Sequence, residues 1–368
     1  MSRLTDQFSL QGRTALVTGG ARGCGLAFAR GLAEAGANVA VFDVVDPDTA
    51  FYTIEKEYNV RTAYYRVDVS SQESLESGFS QFQKDFNNAL DICVPCAGIN
   101  RHLPFLEFTY KDHHDLVSIN VLGLYFTAQL AAKQMIANGT KHGSIVLVAS
   151  MASHIAVRSQ LCSAYCGTKG AVRAMCPAIA KELAEYDIRV NSISPGYVRT
   201  EMTAAFPHLV QGWESEAMNG RIAEPEDIMG ACVFLASDAS AYMTGQDIIV
   251  DGGGMVEEVL IDDMEARGAF VMRNSRFTSC SRMAGTGQLD IVYEDLASKT
   301  IKTIRAGYLV GCDGARSKVR ECIPDAQLEG EVTNASWGVL DGELIRFFTY
   351  STKLRNRCHR YRLSRPLE

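Results

Sequence analysis

The chain has 368 residues, of which 47% are hydrophobic and 21% are charged, so it is long enough to bury one large core or two moderate ones. Its formal net charge of -7 gives no electrostatic reason to expect nucleic acid or an anionic membrane as a partner. The first residues contain no apolar signal core, and no later stretch reads as long and apolar enough to span a bilayer, so we expect a soluble, cytoplasmic protein.

The first two-thirds of the chain alternate short strand-like runs with amphipathic helical stretches, which is typical of a parallel sheet covered by helices on both faces. The predicted strands are residues 14–18, 38–43, 62–67, 90–94, 144–149, 189–194 and 247–250, and the main predicted helices are residues 26–35, 112–138 and 164–186. This order predicts a single doubly wound, Rossmann-like α/β domain that binds its ligands at the carboxyl ends of the strands.

A glycine-rich loop, residues 18–25, follows the first predicted strand and precedes a predicted helix. Gly19, Gly23 and Gly25 permit a tight turn and let backbone amides approach a pyrophosphate at the start of the helix. Because the loop stands between a strand and a helix, it predicts a dinucleotide site rather than a chance run of glycines.

Two charged residues bear on which dinucleotide binds. Asp43 ends the second predicted strand, where a carboxylate can hydrogen-bond the ribose hydroxyls of NAD and repel the 2′-phosphate of NADP. Arg22, within the glycine loop, can instead meet that phosphate. We favour NAD and leave NADP open. Structural alternatives also stand: Asp43 as a turn cap and Arg22 as a plain surface residue.

Tyr165 and Lys169 lie four residues apart in a predicted helix and therefore share a face. We expect the ammonium of Lys169 to lower the pKa of the tyrosine from its usual value of about 10. A tyrosine tuned in this way can exchange a proton with a substrate oxygen near neutral pH. By itself the spacing would favour the alternative, a surface tyrosine beside a solvated lysine.

The eleven cysteines do not indicate a metal site, because no group of Cys and His has structural-zinc spacing. Cys93 and Cys96 have the Cys-x-x-Cys spacing of redox motifs. They end a strand-like stretch instead of heading a helix, so we favour packing over redox chemistry.

Residues 8–254 resemble the short-chain dehydrogenase/reductase family, because several motifs occur in that family's order. Besides the glycine loop, Tyr165 and Lys169, the matching positions are Asp68 and Val69 after the third strand, Ala97 and Gly98 after the fourth, Asn120, Ser150, Val198 and Thr200 after Pro195-Gly196, and the closing Asp251-Gly-Gly-Gly254. The resemblance implies a catalytic tetrad of Asn120, Ser150, Tyr165 and Lys169. It also implies cofactor contacts from Gly19, Arg22, Gly23, Gly25, Asp43, Asp68, Val69, Ala97, Gly98, Asn120, Tyr165, Lys169, Val198 and Thr200.

The same resemblance implies an NAD(P)-dependent interconversion of a secondary alcohol and a ketone. Tyr165 would give the proton to the carbonyl oxygen or take it from the alcohol, and Ser150 would hydrogen-bond that oxygen. Lys169 would hold the nicotinamide ribose, and Asn120 would connect it to solvent through a water. Among the subgroups, the segments 96–100 and 148–153 look most like polyol dehydrogenases and ketose reductases.

The sequence departs from the family pattern at two places. Pro95 and Cys96 stand where the family commonly has two asparagines, and Cys24 stands at a position that is usually aliphatic. Because Gly98 is retained, we expect cofactor binding to survive.

The rest of the chain carries a second resemblance. Residues 304–320 look like the flavin-dependent aromatic hydroxylases, through Gly311, Asp313, Gly314, Arg316, Ser317 and Arg320. That family's own glycine fingerprint has no separate counterpart, so we expect no FAD. We predict a dehydrogenase domain (1–254), a flavin-monooxygenase-like fragment (255–343) and a basic, disordered tail (344–368). Within the fragment, residues 255–287 show no period, whereas 290–293 and 303–310 look like strands.

Several questions stay open at this level. Residues 202–222 fall where the family has its substrate lid, and Phe206, His208, Trp213 and Met218 either line the pocket or pack the lid down. Relatives are commonly tetramers or dimers that pack near their C-terminal strands, so the tail can perturb a homo-oligomer. The alternatives to an active reductase are an idle dinucleotide-binding scaffold and, less favoured, a bifunctional reductase–monooxygenase.

Overall fold

A computed structural model describes residues 3–157, 159–255, 268, 272, 275–283, 285, 287–296, 298–310 and 318–322. The chain divides into two compact units, Met1–Val271 and Met272–Glu368. The domain boundary at residue 254 stays a prediction. Residues 311–317, which carry most of the flavin-type motif, and the basic tail 344–368 lie outside the described residues.

In the described part of the first unit, seven parallel strands form one sheet. They are β1 (Thr14–Thr18), β2 (Asn38–Asp43), β3 (Thr62–Arg66), β4 (Ile92–Pro95), β5 (Gly143–Val148), β6 (Ile188–Pro195) and β7 (Asp247–Val250). Their order across the sheet is β3-β2-β1-β4-β5-β6-β7, which confirms the predicted doubly wound fold. The winding reverses between β1 and β4, and folds of this class bind their ligands at that point.

Helices connect the strands as predicted. They are α1 (Gly23–Glu34), α2 (Phe51–Tyr58), α3 (Gln72–Asp85), α4 (Tyr110–Val117), α5 (Leu124–Asn138), α6 (Ser163–Leu183), α7 (Glu201–Ala204), α8 (Val210–Glu216) and α9 (Pro225–Ala236). Short 3-10 turns occur at Leu4–Phe8, Phe105–Glu107, Met151–Ser153, Ala184–Tyr186, Pro207–Leu209 and Asp238–Ser240. The predicted helix over 112–138 is interrupted by a π-helical turn, Ser118–Gly123, between α4 and α5.

The core lies on both faces of the sheet, because side chains alternate along each strand. In β1 every residue is buried: Leu16 packs with α3, α5 and α6 on one face, and Val17 packs with α1, α2 and α9 on the other. A strand enclosed on both faces needs such a continuous apolar run. Burying each large apolar side chain contributes about 1.5–3 kcal/mol, which makes this sheet a rigid support for the loops at its edge.

The stretch Tyr110–Asn138 is long and apolar enough, by length and composition, to cross a membrane. The expectation that no segment meets that criterion is therefore wrong. In the structure, Leu124, Ala131 and Met135 from this stretch are buried against the sheet. Part of its apolar character thus serves packing inside the first unit.

The second unit contains, among its described residues, an antiparallel sheet of β8 (Ser275–Arg282), β9 (Leu289–Asp295) and β10 (Thr300–Ala306), in the order β10-β9-β8. Strands β9 and β10 confirm the two predicted there. Strand β8 was not expected, because its Ser-Arg-Phe-Thr-Ser-Cys-Ser-Arg sequence carries one large apolar residue and a bulge between Phe277 and Ser279 breaks its register. A further 3-10 turn, Arg320–Cys322, follows.

Candidate active site

The glycine loop is a tight turn between β1 and α1. Gly19 has φ +66° and Gly23 has φ +55°, a conformation that L side chains rarely adopt. A Cβ at Gly25 would overlap the carbonyl oxygen of Gly19, and a Cβ at Gly19 would lie 2.7 Å from the Cα of Ala97. Glycine is therefore required here, and the loop directs the amino end of α1 toward the carboxyl edge of the sheet.

The end of β4 lies beside this loop. The hydroxyl of Thr18 accepts hydrogen bonds from the backbone amides of Cys96 and Ala97, each at 3.2 Å. A Cβ at Gly98 would lie 3.3 Å from Oδ1 of Asn120 and 3.6 Å from Nζ of Lys169. Because Gly98 has no side chain, the backbone that follows β4 can lie close to Asn120 and Lys169, two residues predicted for the site.

Asp43 is held rigidly at the end of β2. Its Oδ2 accepts from the amide of Ala21 at 3.1 Å, and its Oδ1 accepts from those of Val44 at 2.7 Å and Val45 at 3.3 Å. The carboxylate therefore caps the following turn and also braces the glycine loop. Arg22, the residue before α1, is exposed.

The other predicted cofactor contacts surround the same edge. Asp68 accepts from the amide and hydroxyl of Ser70 at 2.9 and 2.7 Å, and the buried Val69 blocks any side chain at Gly123. After β6, Val198 is buried, and the methyl of Thr200 would lie 3.2 Å from a Cβ at Gly23. The loops after β1, β3, β4 and β6 thus converge as the sheet order requires.

Tyr165 and Lys169 share a face of α6, as their spacing predicted, and that face meets the end of β5. The ammonium of Lys169 donates to the carbonyl of Val148 at 2.7 Å and lies 5.7 Å from the ring centre of Tyr165. The hydroxyl of Ser150 is a hydrogen-bond partner of the Tyr165 phenol and accepts from the amide of Ala152 at 3.2 Å. The structure therefore brings Ser150, Tyr165 and Lys169 together.

The pKa of Tyr165 is shifted in the opposite direction from the one expected. Burial raises the pKa of Tyr165, and the hydrogen bond from Ser150 only partly opposes it. Burial also lowers the pKa of Lys169 to about 8, since only 4% of that residue is exposed. The prediction that Lys169 brings the tyrosine pKa below its usual value is wrong for this structure, because loss of solvent is the largest influence on that pKa and raises it.

Asn120 is fully buried in the π-helical turn, a distortion that often marks functional sites. Its Nδ2 donates to the carbonyl of Ile99 at 2.9 Å and to the hydroxyl of Thr168 at 3.1 Å, and its Oδ1 accepts from the amide of Ile99 at 2.8 Å. The amide therefore ties the end of β4 to α6. Its oxygen also lies 3.3 Å from the position of a Cβ at Gly98.

The two departures from the family pattern meet at the base of this site. Cys24 and Cys96 both lie near Lys169 and Tyr165. Burial raises the pKa of Cys24 to about 11 and that of Cys96 further, so both are neutral thiols at neutral pH. Cys93 packs into the opposite core from Cys96, which agrees with the packing interpretation of that pair.

One hydrogen-bond network beside the candidate site was missed at the sequence level. Asp247 in β7 accepts hydrogen bonds from Ser192 at 2.6 Å and Ser194 at 2.8 Å, and its Oδ2 lies 2.8 Å from Nε2 of His154. This network anchors the loop that follows Ser150 to the far edge of the sheet. Residues 154 and 247 are 93 positions apart, and no motif connects them.

The segment 202–222, which was predicted to be a substrate lid, contains most of α7, a 3-10 turn and α8. Trp213 is fully buried and stacks on Tyr197, with ring centres 4.6 Å apart, and both rings line a cavity of about 270 Å³. Phe206 and His208 pack near the ring of His102. Trp213 therefore both lines a cavity and packs the lid. Among the described residues, no group of three His, Cys, Asp or Glu is arranged to hold a metal ion.

Known proteins match the first two-thirds of the chain. The family model described as enoyl-(acyl carrier protein) reductase matches residues 19–254. The sorbose reductase of Schizosaccharomyces pombe is 36% identical over 256 residues, which cover 68% of this chain and 98% of that protein. The gluconate 5-dehydrogenase of Gluconobacter oxydans is 37% identical over 254 residues, covering 67% and 96%.

A short-chain type dehydrogenase/reductase from Mycobacterium marinum has a TM-score of 0.65 and 37% identity, covering 68% of this chain and 99% of its own. The chain belongs to the short-chain dehydrogenase/reductase family. A gluconate 5-dehydrogenase from Burkholderia cenocepacia, solved in complex with NADP and tartrate, is similar with a TM-score of 0.63 and 33% identity, covering 69% and 99%. As a member of this family the chain is an NAD(P)-dependent oxidoreductase, as the motifs predicted.

A second family model, described as an FAD binding domain, matches residues 215–347. It confirms the second resemblance. The match begins at residue 215, so its first part includes α9 and β7, which the structure builds into the first unit.

Proposed function

We propose that the protein interconverts a secondary alcohol and a ketone on a polyhydroxylated substrate, such as a sugar alcohol and its keto sugar. The observation that carries this proposal is the convergence of Ser150, Tyr165 and Lys169 at the carboxyl edge of the sheet. The names of the sorbose and gluconate relatives support the substrate class.

The residues at the sheet edge fit a nicotinamide dinucleotide. The loop of Gly19, Gly23 and Gly25 holds the amino end of α1 open for the pyrophosphate, and Asp43 stands where the adenosine ribose would lie. Lys169 would hold the nicotinamide ribose. When bound, the nicotinamide supplies or accepts the hydride.

The chain's own residues supply the proton. Its raised pKa keeps Tyr165 protonated at neutral pH, so the phenol is ready to donate to a carbonyl oxygen. Ser150 shares a hydrogen bond with that phenol and would stabilise the charge that develops on the substrate oxygen. With a pKa of about 8, Lys169 is mostly an ammonium at pH 7 and favours the phenolate that results. Asn120 would hold a water that links Lys169 to solvent.

For the cofactor we propose a preference for NAD over NADP. The Asp43 carboxylate is fixed by three backbone amides and cannot swing away from a 2′-phosphate without breaking them. Two unit charges 4 Å apart repel by about 4 kcal/mol at an effective dielectric constant of 20. Arg22 opposes this, but it is exposed and more strongly screened.

We further propose a cytoplasmic homo-oligomer that binds no FAD. Exposed Leu122, Tyr125 and Phe126 form an apolar patch along the α5 region, which suits contact with a second copy. Light scattering of the full chain and of residues 1–254 tests whether the extension limits assembly. A stoichiometric flavin absorbance in the purified protein would contradict the absence of FAD.

The proposal is tested by a cofactor-consumption screen over polyols, ketoses and keto-acids with NADH and NADPH separately. Tyr165→Phe should reduce kcat by a factor of about 100 or more, since proton transfer contributes about 10² to 10⁴. Tyr186→Phe is the matched control, because Tyr186 is exposed just past the end of α6. A Tyr165→Phe enzyme at full rate would overturn the mechanism, and NADH binding without turnover of any substrate would favour the idle scaffold.

A further inference from the structure

Two cysteines contact each other beside Tyr165. Cys162 immediately precedes α6 and Cys166 lies in its first turn, with the two Sγ atoms 3.7 Å apart and both thiols free. The backbone amide of Cys166 donates to the carbonyl of Cys162 at 2.9 Å, so the pair has the register of one helical turn. Residues four apart in a helix have Cα atoms about 6 Å apart, within the span that a disulfide bridges.

Only a small movement separates these thiols from a bond. A disulfide has an S–S distance of about 2.05 Å, so the sulfur atoms must approach by about 1.7 Å from their 3.7 Å separation. Rotation about the Cα–Cβ bonds can supply part of this approach. A disulfide also needs Cβ atoms about 3.5–4.5 Å apart, and residues one helical turn apart have Cβ atoms about 5–6 Å apart, so the first turn of α6 must supply the rest.

The pair is also reactive and reachable. The hydrogen bond from Cys162 lowers the pKa of Cys166, which favours its reactive thiolate form. Both cysteines line an open groove of about 200 Å³, together with Leu103, Phe105 and Leu161. By contrast Cys176, on the same helix, is buried with its pKa raised to about 11.

We propose that Cys162 and Cys166 form a modification site at which a peroxide produces a reversible intrachain disulfide that lowers the activity of the enzyme. The Cys166 thiolate attacks one peroxide oxygen, the O–O bond breaks, and hydroxide leaves and takes up a proton to become water. The Cys162 sulfur then attacks the resulting sulfenic acid, the S–O bond breaks, and a second water leaves with the Cys162 proton. Two thiols are oxidised by two electrons and one peroxide is reduced to two waters.

The effect on activity follows from the position of Tyr165, which lies between the two cysteines in the same turn. A displacement of about 1 Å at a reacting group can reduce the rate by a factor of about 100. We therefore expect the oxidised chain to lose activity roughly tenfold to a hundredfold, and a thiol reductant to restore it. This second half of the proposal rests on the proposed function; disulfide formation does not.

The experiment treats the full chain with hydrogen peroxide at neutral pH, alkylates the remaining thiols and maps the peptides by mass. We expect a peptide with a crosslink between residues 162 and 166, lost after reduction, in parallel with the fall and recovery of turnover. Cys162→Ser should keep the basal activity, form no crosslink and lose the reversible inhibition. Cys280→Ser is the matched control, because Cys280 is hydrogen-bonded to Cys322 in the second unit; this variant should behave as the wild type.

Three outcomes would overturn the proposal. In the first, residues 162 and 166 are both alkylated after oxidation while other thiols react. In the second, Cys166 is modified alone. In the third, the crosslink forms and turnover is unchanged, which removes the effect on activity. The peptide map needs no substrate. If the protein turns over no substrate in the screen, the proposed function is wrong, but the map still shows whether the disulfide forms.

Discussion

Replacing Lys169 with methionine is expected to stabilise the folded protein at pH 7 while it removes the activity. Burial lowers the pKa of this lysine from 10.5 to about 8, which corresponds to about 3 kcal/mol by which the folded state disfavours the ammonium. Methionine fills a similar volume without a charge but leaves the carbonyl of Val148 without its 2.7 Å hydrogen bond, a loss of about 1 kcal/mol. We therefore expect a net gain of about 2 kcal/mol in the free energy of unfolding.

The gain should depend on pH in a defined direction. The pKa of Lys169 is lower in the folded state, so between about pH 8 and 10.5 the unfolded chain holds more protons than the folded one. Below pH 8 the buried ammonium of Lys169 destabilises the folded state by its full amount. Across the window from pH 8 to 10.5 this cost disappears, so the free energy of unfolding rises with pH. The advantage of the Lys169→Met variant should shrink from about 2 kcal/mol at pH 7 to near zero at pH 10.

Urea unfolding followed by circular dichroism at pH 7 and pH 10 measures both quantities. Lys181→Met is the matched control, because Lys181 is an exposed lysine on the same helix; its change should stay within about 0.5 kcal/mol at either pH. If Lys169→Met is no more stable than the wild type at pH 7, or if the difference is equal at both pH values, the burial of a charged lysine is not the dominant interaction at this position.

Two further changes test the cofactor end. Asp43→Asn should raise the ratio of kcat/KM for NADPH over NADH by a factor of about 10 to 100, because one negative charge beside the 2′-phosphate is removed; an unchanged ratio would show that Asp43 does not select the cofactor. Gly25→Ala should destabilise the fold by about 3 kcal/mol or more and prevent dinucleotide binding, because its Cβ overlaps the backbone of Gly19. Gly230→Ala is the matched control, because Gly230 is exposed on α9 and a Cβ there meets open space; it should raise the free energy of unfolding by about 0.5–1 kcal/mol. Equal melting temperatures for the Gly25 and Gly230 variants would contradict the tight packing of the glycine loop.

Much of the site could be predicted because its signals are local. The glycines at 19, 23 and 25 and the pair Tyr165 and Lys169 each lie within one short segment, where spacing along the chain translates directly into geometry. The two features of the fold that the sequence did not predict correctly also have physical explanations. Strand β8 has Phe277 as its one large apolar residue, so it has no repeated hydrophobic period to detect. The apolar stretch 110–138 is compatible with a membrane until its packing against the sheet is seen.

Sequence alone determined the parallel sheet, the glycine loop between β1 and α1 and the shared helix face of Tyr165 and Lys169, because alternation of apolar residues, glycine conformation and helical spacing are properties of neighbouring residues. The tertiary structure decided what those residues do to one another. It placed Ser150 against Tyr165, closed the network from His154 to Asp247, and set Cys24 and Cys96 beside Lys169. It also reversed the expected direction of the Tyr165 pKa, because the loss of solvent around a group depends on every element packed over it and no local pattern records that burial.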